Sequence, residues 1–270
     1  MILDRFQLSG RTVIVTGGAG LLGSQFCQTL AEAGANLVVG DINFSAAQQV
    51  AEELLAQGFP ARAVELDVTS PESVGYLVQI TLDTYKTVDI LVNSAALDPK
   101  FDPQHGGHIN SFEDYPLELW NQALAVNLTG MLLCCQAAVQ PMLEQKKGVI
   151  INLSSIYGIT APDQRLYQRV GKPAQYKPVY YPVTKSAVLG FTTYLAAYYA
   201  GKNIRVNAIS PGGVYNGHDQ EFVQAYSAHT VLGRMARKDD LNGAILFLAS
   251  DASEYMTGAN LVVDGGWSIW

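Results

Sequence analysis

Tyr181-Pro182-Val183-Thr184-Lys185 sets a phenol and an ammonium four positions apart, ahead of the apolar, helix-patterned run Ala187–Ala200. On a helix, positions i and i+4 share one face. A free phenol titrates near ~10 and is a poor base at neutral pH. A cation beside it favours the phenolate. The pair is a candidate proton-transfer device, with Tyr181 as general acid/base and Lys185 lowering its pKa. Tyr-x-x-x-Lys also occurs on ordinary exposed helix faces, so the pair needs support from the rest of the chain.

That support begins at Thr16-Gly17-Gly18-Ala19-Gly20-Leu21-Leu22-Gly23, which follows an apolar run and opens a helical pattern. Glycines permit a tight turn and let the backbone approach a pyrophosphate. The helix that follows offers unpaired N–H donors and partial positive charge to that anion. Asp41 ends the next apolar run, 18 residues beyond Gly23. An acid there can bind both ribose hydroxyls of NAD and repels the 2′-phosphate of NADP. No arginine or lysine lies in the glycine loop or directly after Asp41. NAD is therefore the expected cofactor.

The elements that must hold these groups alternate along the chain. Short apolar runs at Thr12–Thr16, Asn36–Gly40, Ala61–Leu66, Ile90–Val92, Val149–Leu153, Arg205–Ile209 and Leu261–Val263 read as buried strands. Helical patterns lie between them at Leu21–Ala33, Ser45–Gln57, Pro71–Lys86, Leu117–Gln145, Val183–Ala200 and Asp239–Ala249. Such alternation predicts an α/β fold with a parallel sheet of about seven strands and helices on both faces. There is no repeat and no Pro/Gly/Ser-rich linker, so residues 1–270 are expected to form one domain. Polar stretches at Leu97–Pro116 and Ile159–Tyr180 follow strands, where ligands of open α/β sheets bind.

Composition narrows the partners. Hydrophobic residues make up 49% and charged residues 15%, as in a compact globular chain. A net charge of −7 argues against nucleic acid. No apolar run reaches about 18 residues, so no membrane span is expected. The start lacks the basic and apolar regions of a secretory signal, and a cytoplasmic protein is expected. Cys27, Cys134 and Cys135 sit in helix-like apolar stretches without the spacing of a disulfide framework or a zinc site. His105-Gly106-Gly107-His108 has no acid or cysteine at ligand spacing and reads as a loop, so no metal is expected.

Taken in order, these motifs resemble the short-chain dehydrogenase/reductase family. The glycine loop, Asp67, Asn93-Ser94-Ala95-Ala96, Asn127, Asn152-Leu153-Ser154-Ser155, Tyr181/Lys185, Ser210-Pro211-Gly212-Gly213 and Val263-Asp264-Gly265-Gly266 span Gly10 to Trp267. The resemblance implies a doubly wound Rossmann fold, nicotinamide chemistry and commonly a homotetramer. It implies that Asn127, Ser155, Tyr181 and Lys185 are catalytic. Ser155, rather than its neighbour Ser154, would polarise the reacting carbonyl, and Asn127 would hold a proton-relay water. Gly17, Gly20 and Leu22 would meet the pyrophosphate, and Asp41 the ribose. Asp67 and Val68 would take the adenine, Asn93 and Ala95 its ribose side. Pro211, Gly212 and Val214 would pass the nicotinamide, whose ribose Lys185 would bind beside Tyr181.

Three departures stand out. The spacing Gly17-x-x-Gly20-x-x-Gly23 is that of the family's extended, sugar-nucleotide branch. Asn93-Ser94-Ala95-Ala96 replaces the usual Asn-Asn-Ala-Gly. Ser155 and Tyr181 lie 26 positions apart, about twice the usual gap. With the Ser154-Ser155-Ile156-Tyr157-Gly158 turn and Asn203-Ile204-Arg205-Val206-Asn207, the loop and insertion resemble bacterial flagellin-modification reductases of nonulosonic-sugar pathways.

The expected activity is secondary alcohol–ketone interconversion on a sugar-like or sugar-phosphate substrate. The alternatives are a nucleotide-sugar epimerase or dehydratase, or a dinucleotide-binding protein without catalysis. The short stretch after Val263 leaves little room for an epimerase's substrate domain. Asp163, Gln164, Arg165, Tyr167, Gln168, Arg169, Lys172 and Lys177 of the insertion suit either a solvated loop or an acidic sugar. A lid is expected near 214–232, with Tyr215, His218 and Tyr226 as substrate candidates.

Overall fold

The computed structural model describes residues 1–98, 111–168, 171 and 174–270. His105, His108, Arg169 and Lys172 lie outside the described residues, as does most of the stretch before Pro116. The strands are β1 (Thr12–Thr16), β2 (Asn36–Asp41), β3 (Ala61–Glu65), β4 (Ile90–Asn93), β5 (Gly148–Leu153), β6 (Ile204–Pro211) and β7 (Asn260–Val263). The helices are α1 (Leu21–Glu32), α2 (Phe44–Ala56), α3 (Pro71–Tyr85), α4 (Leu117–Leu124), α5 (Met131–Gln145), α6 (Tyr180–Tyr198), α7 (Gln220–Ala228) and α8 (Asn242–Ala249).

The strands form one parallel sheet of seven in the order β3-β2-β1-β4-β5-β6-β7. Period-two side chains serve both faces. Val13, Val15, Leu37, Val39, Ile90 and Val92 face Phe26, Leu30, Ala47, Leu54, Ile245 and Leu248 of α1, α2 and α8. Ile14, Val38, Leu91 and Ile150 face Leu77, Met131, Ala138, Met142, Val188 and Leu195 of α3, α5 and α6. A fully buried side chain of this kind contributes about 1.5–3 kcal/mol relative to exposure. Burial on both faces is why the strands read as near-continuous apolar runs.

The chain winds outward from β1 to β3, then returns to β4 on β1's other side. This reversal opens a crevice at the carboxyl ends of the strands. Register brings Thr16 opposite Asn93, and Asn93 opposite Asn152, at that edge.

Four element readings needed revision. The helix expected over Leu117–Gln145 is α4 and α5 joined by a π-helical segment, Ala125–Gly130. Its length and composition would allow a membrane crossing, but 44% of its most apolar window is buried, and α5 packs on the sheet. Helix α6 starts at Tyr180, three residues before the expected start, because the first turn has no N–H partner to lose at Pro182. Helix α8 starts at Asn242 rather than Asp239. The lid carries a helix, α7, capped by Asp219, whose Oδ1 accepts from Phe222 N at 2.9 Å.

Candidate active site

The glycine loop turns where side chains cannot fit. Gly17 has φ +63°, and a Cβ there would lie 2.7 Å from Ala95 Cα. A Cβ on Gly23 would lie 2.1 Å from Gly17 O. Gly20 N-caps α1 without a side-chain hydrogen bond, whereas Asn43 and Ser70 cap α2 and α3 with theirs. The first N–H groups of α1 are thus left without a side-chain acceptor beside the glycine loop.

Asp41 closes the other side of the loop. Its Oδ2 accepts from Ala19 N and its Oδ1 from Asn43 N, both at 3.0 Å. These bonds fix the carboxylate against the glycine loop, although Asp41 does not itself line the neighbouring cleft.

Beyond the ends of β5 and β6, a cleft of about 690 Å³ runs from Gly17, Gly20 and Leu22 to Ser155, Tyr181 and Lys185. Pro211, Gly212 and Val214 line it too. A third apolar cluster backs its far end: Ile156 and Tyr157 of the turn after β5 and Tyr167 of the insertion pack with Phe222, Tyr226, Met235 and Trp267. The expected insertion and lid thus meet in one wall.

Tyr181 and Lys185 share the inner face of α6. Lys185 is buried; its Nζ donates to Leu153 O at 2.8 Å and lies 5.8 Å from the Tyr181 ring centroid. Ser155 lines the cleft beside Tyr181, and its hydroxyl accepts from Tyr157 N at 3.2 Å. Burial pushes the Tyr181 phenol well above its ordinary 10, and Asp98 adds to the rise against the Ser155 bond. Burial pushes Lys185 down to about 8, with Asp98 opposing and Lys177 adding. Burial thus raises the Tyr181 pKa where the sequence led to a lowering.

Other expected residues play parts around the cleft. Asn127, buried in the π-helical segment, accepts from Leu97 N at 2.7 Å and donates to Thr184 Oγ1 at 3.1 Å. It clamps the loop after β4 to α6, one residue from Lys185. Asn93 does not turn its side chain into the cleft. Its Nδ2 donates to Asn152 Oδ1 at 2.9 Å, tying β4 to β5, and its buried Oδ1 is unpartnered. Ala95 N donates to Thr16 Oγ1 at 3.2 Å, holding the strand end against Gly17. Asp67 Oδ1 accepts from Thr69 N at 2.8 Å, and Val68 packs in the core against Gly130. Neither Asp67 nor Val68 lines the cleft.

Of the lid candidates, His218 and Tyr226 line the cleft and Tyr215, 52% exposed, does not. The Tyr226 hydroxyl accepts from Gly213 N, so it anchors the lid. Asp98, Gln175 and Tyr176 also line the cleft and were not singled out from sequence. The one available signal for Asp98 was its place in a polar loop after a strand. Among the described residues no His, Cys, Asp and Glu group could hold a metal.

Known proteins share this arrangement of the chain. A family model described as enoyl-(acyl carrier protein) reductase matches residues 18–268. The 3-alpha-(or 20-beta)-hydroxysteroid dehydrogenase of Mycobacterium bovis is 36% identical, with 96% of this chain and 90% of that protein covered. The D-threitol dehydrogenase of Mycolicibacterium smegmatis is 33% identical, with 98% and 95% covered. The crystal structure of a gluconate 5-dehydrogenase from Burkholderia cenocepacia, in complex with NADP and tartrate, superposes with a TM-score of 0.86 at 29% identity over all of both chains. With its seven-stranded parallel sheet and these near full-length matches, the chain belongs to the short-chain dehydrogenase/reductase family.

Proposed function

We propose that this oxidoreductase interconverts a secondary alcohol and a ketone on a sugar-like or sugar-phosphate substrate, with NAD(H) as cofactor. The observation that carries the reading is one cleft lined at one end by Ser155, Tyr181 and Lys185 and at the other by the glycine loop. The cleft fits a dinucleotide: the start of α1 has no side-chain cap, and glycines stand where a Cβ would collide. The nicotinamide, when bound, supplies the hydride donor or acceptor.

The chain's own residues do the rest. In reduction the Tyr181 phenol, kept protonated by burial, gives its proton to the carbonyl oxygen, and in oxidation its phenolate takes the hydroxyl proton. Ser155 hydrogen-bonds the same oxygen as its charge develops. Lys185, buried between Leu153 O and the ring, holds positive charge behind the phenol. Asn127 fixes the register of α6 against the loop. Fixed carboxylate geometry at Asp41 supports NAD over NADP. Support for a polyhydroxy substrate comes from relatives that act on D-threitol and gluconate. A homotetramer belongs to the same proposal, and Tyr194 and Tyr198, 61% and 65% exposed on α6, are residues it would cover.

The test is absorbance at the reduced-nicotinamide band with polyols, keto-sugars and secondary alcohols. Tyr181→Phe should lower turnover by about 10²–10⁴-fold and leave NADH binding in place. Equal turnover by this variant would refute the mechanism.

A further inference from the structure

The insertion between Ser155 and Tyr181 delivers a second cation to the cleft. Lys177 Nζ stands 3.9 Å from the centroid of the Tyr181 ring and 2.6 Å from Asp98 Oδ1. Its main chain is gripped at both polar groups. Lys177 N donates to Gln164 Oε1 at 2.9 Å, and Gln164 Nε2 donates to Lys177 O at 3.5 Å. Gln164 opens a 3-10 turn, Gln164–Tyr167, which Asp163 caps through Arg165 N. On that turn the Tyr167 hydroxyl meets the Tyr157 hydroxyl at 3.1 Å, and the Tyr157 ring stands edge-on to Tyr181. The cation is thus framed against the proposed acid/base.

The ion pair is asymmetric. The Lys177 side chain is 12% exposed and fixed, whereas the Asp98 side chain is 55% exposed, on the loop after β4. Holding a desolvated ammonium over the ring requires an anion. That anion need not be Asp98. A carboxylate or phosphate oxygen entering the cleft can replace it on Nζ, one oxyanion for another, while Asp98 turns to water at little cost. Proton transfer itself does not call for Lys177, since Lys185 already backs the phenol.

We propose that Lys177 is the substrate's oxyanion anchor, and that the substrate is an acidic polyol or its keto form. Its carboxylate or phosphate lies a few bonds from the reacting carbon, because Lys177 sits directly over the Tyr181 ring. The proposal rests on the oxidoreductase reading and narrows it to hydroxy acids or polyol phosphates.

The experiment uses the full chain with saturating NAD and two matched pairs of probes, D-gluconate with D-sorbitol and glycerol 3-phosphate with glycerol. Within at least one pair the acid should be favoured in kcat/KM, mainly through KM. Lys177→Met should cut the acid-to-neutral ratio by about 10–100-fold, the range of a charge-assisted hydrogen bond. Lys177→Arg should restore part of it, and Asp98→Asn should lower the KM of the acid. Which pair responds distinguishes carboxylate from phosphate. Thermal shift on Tyr181→Phe protein reads acid binding without turnover. Acid stabilisation that needs Lys177, with no probe turned over by the native protein, supports the anchor and refutes the oxidoreductase reading. Neutral and acidic probes treated alike by native and Lys177→Met proteins overturn the anchor alone. Should Lys177→Met fail to fold, an unchanged acid KM in Asp98→Asn overturns it.

Discussion

Ser154 Oγ donates to the main-chain carbonyl of Lys185 at 2.7 Å. The next hydroxyl along, Ser155, accepts from Tyr157 N at 3.2 Å and lines the cleft with Tyr181 instead. Adjacent serines at the end of β5 therefore make different contacts, Ser154 with α6 and Ser155 with the turn that follows it. Ser155→Ala is expected to lower kcat by about 10²–10³-fold with little change in melting temperature. Ser154→Ala is expected to cost about 0.5–1.5 kcal/mol of stability, since the Lys185 carbonyl keeps its helical bond but loses the one that ties α6 to the end of β5. Steady-state kinetics and thermal melts of both variants check the division, and a large kcat loss confined to Ser154→Ala would reverse the assignment.

Gly23→Ala should disable the phosphate loop. Its Cβ would fall 2.1 Å from Gly17 O and 2.9 Å from Gly18 Cα, so the turn must open. The expected cost is about 1–3 kcal/mol, with NADH affinity reduced at least about tenfold. Gly75→Ala on α3 is the control: nothing lies within 4 Å of its Cβ, and helix propensity predicts a gain of about 0.5–1 kcal/mol. Fluorescence titration with NADH and denaturant melts separate the two glycines.

Asp41→Ala should raise the KM for NAD and shrink the preference for NAD over NADP. The variant loses the acid proposed to bind the ribose, together with the bonds to Ala19 N and Asn43 N that steady the loop. A loss of about 1.5–3 kcal/mol, roughly 10–100-fold in affinity, is expected for NAD. An unaltered ratio of kcat/KM for the two cofactors would place the choice elsewhere in the chain.

Lys185 should leave a signature in the pH dependence of stability. Burial sets its folded pKa at about 8, below the ordinary 10.5. Between those values the unfolded chain holds a proton there that the folded chain has shed. Stability from this group therefore rises with pH across the window and is lost as pH falls through about 8. Relative to Lys185→Met, the native protein should gain up to about 1.4 kcal/mol per pH unit above pH 8. Denaturant melts at pH 7, 8, 9 and 10 test it, and a flat difference between the two proteins would show that Lys185 keeps its ordinary pKa.

Much of the scaffold was legible because it is local. Strands buried on both faces write themselves as apolar runs, and β1 matches its expected bounds, Thr12–Thr16. The glycine loop was legible because close backbone approach allows only one residue type. Helix α7 was not, since a short helix of mixed polarity shows little periodicity, though Asp219 was an available N-cap signal. Asn93 was misplaced because its type and position do not say which way the amide turns; the pairing of β4 with β5 spends it on Asn152.

The sequence by itself determined the alternating α/β order, the phosphate loop and the helical spacing that puts Tyr181 and Lys185 on one face. These follow from nearest neighbours along the chain and from the periods of helix and strand. Only the tertiary structure decided that Ser154 docks on the Lys185 carbonyl, that burial raises rather than lowers the Tyr181 pKa, and that Lys177 crosses to Asp98, 79 positions away. Desolvation and long-range pairing depend on every group packed around a side chain, and no stretch of sequence carries that sum.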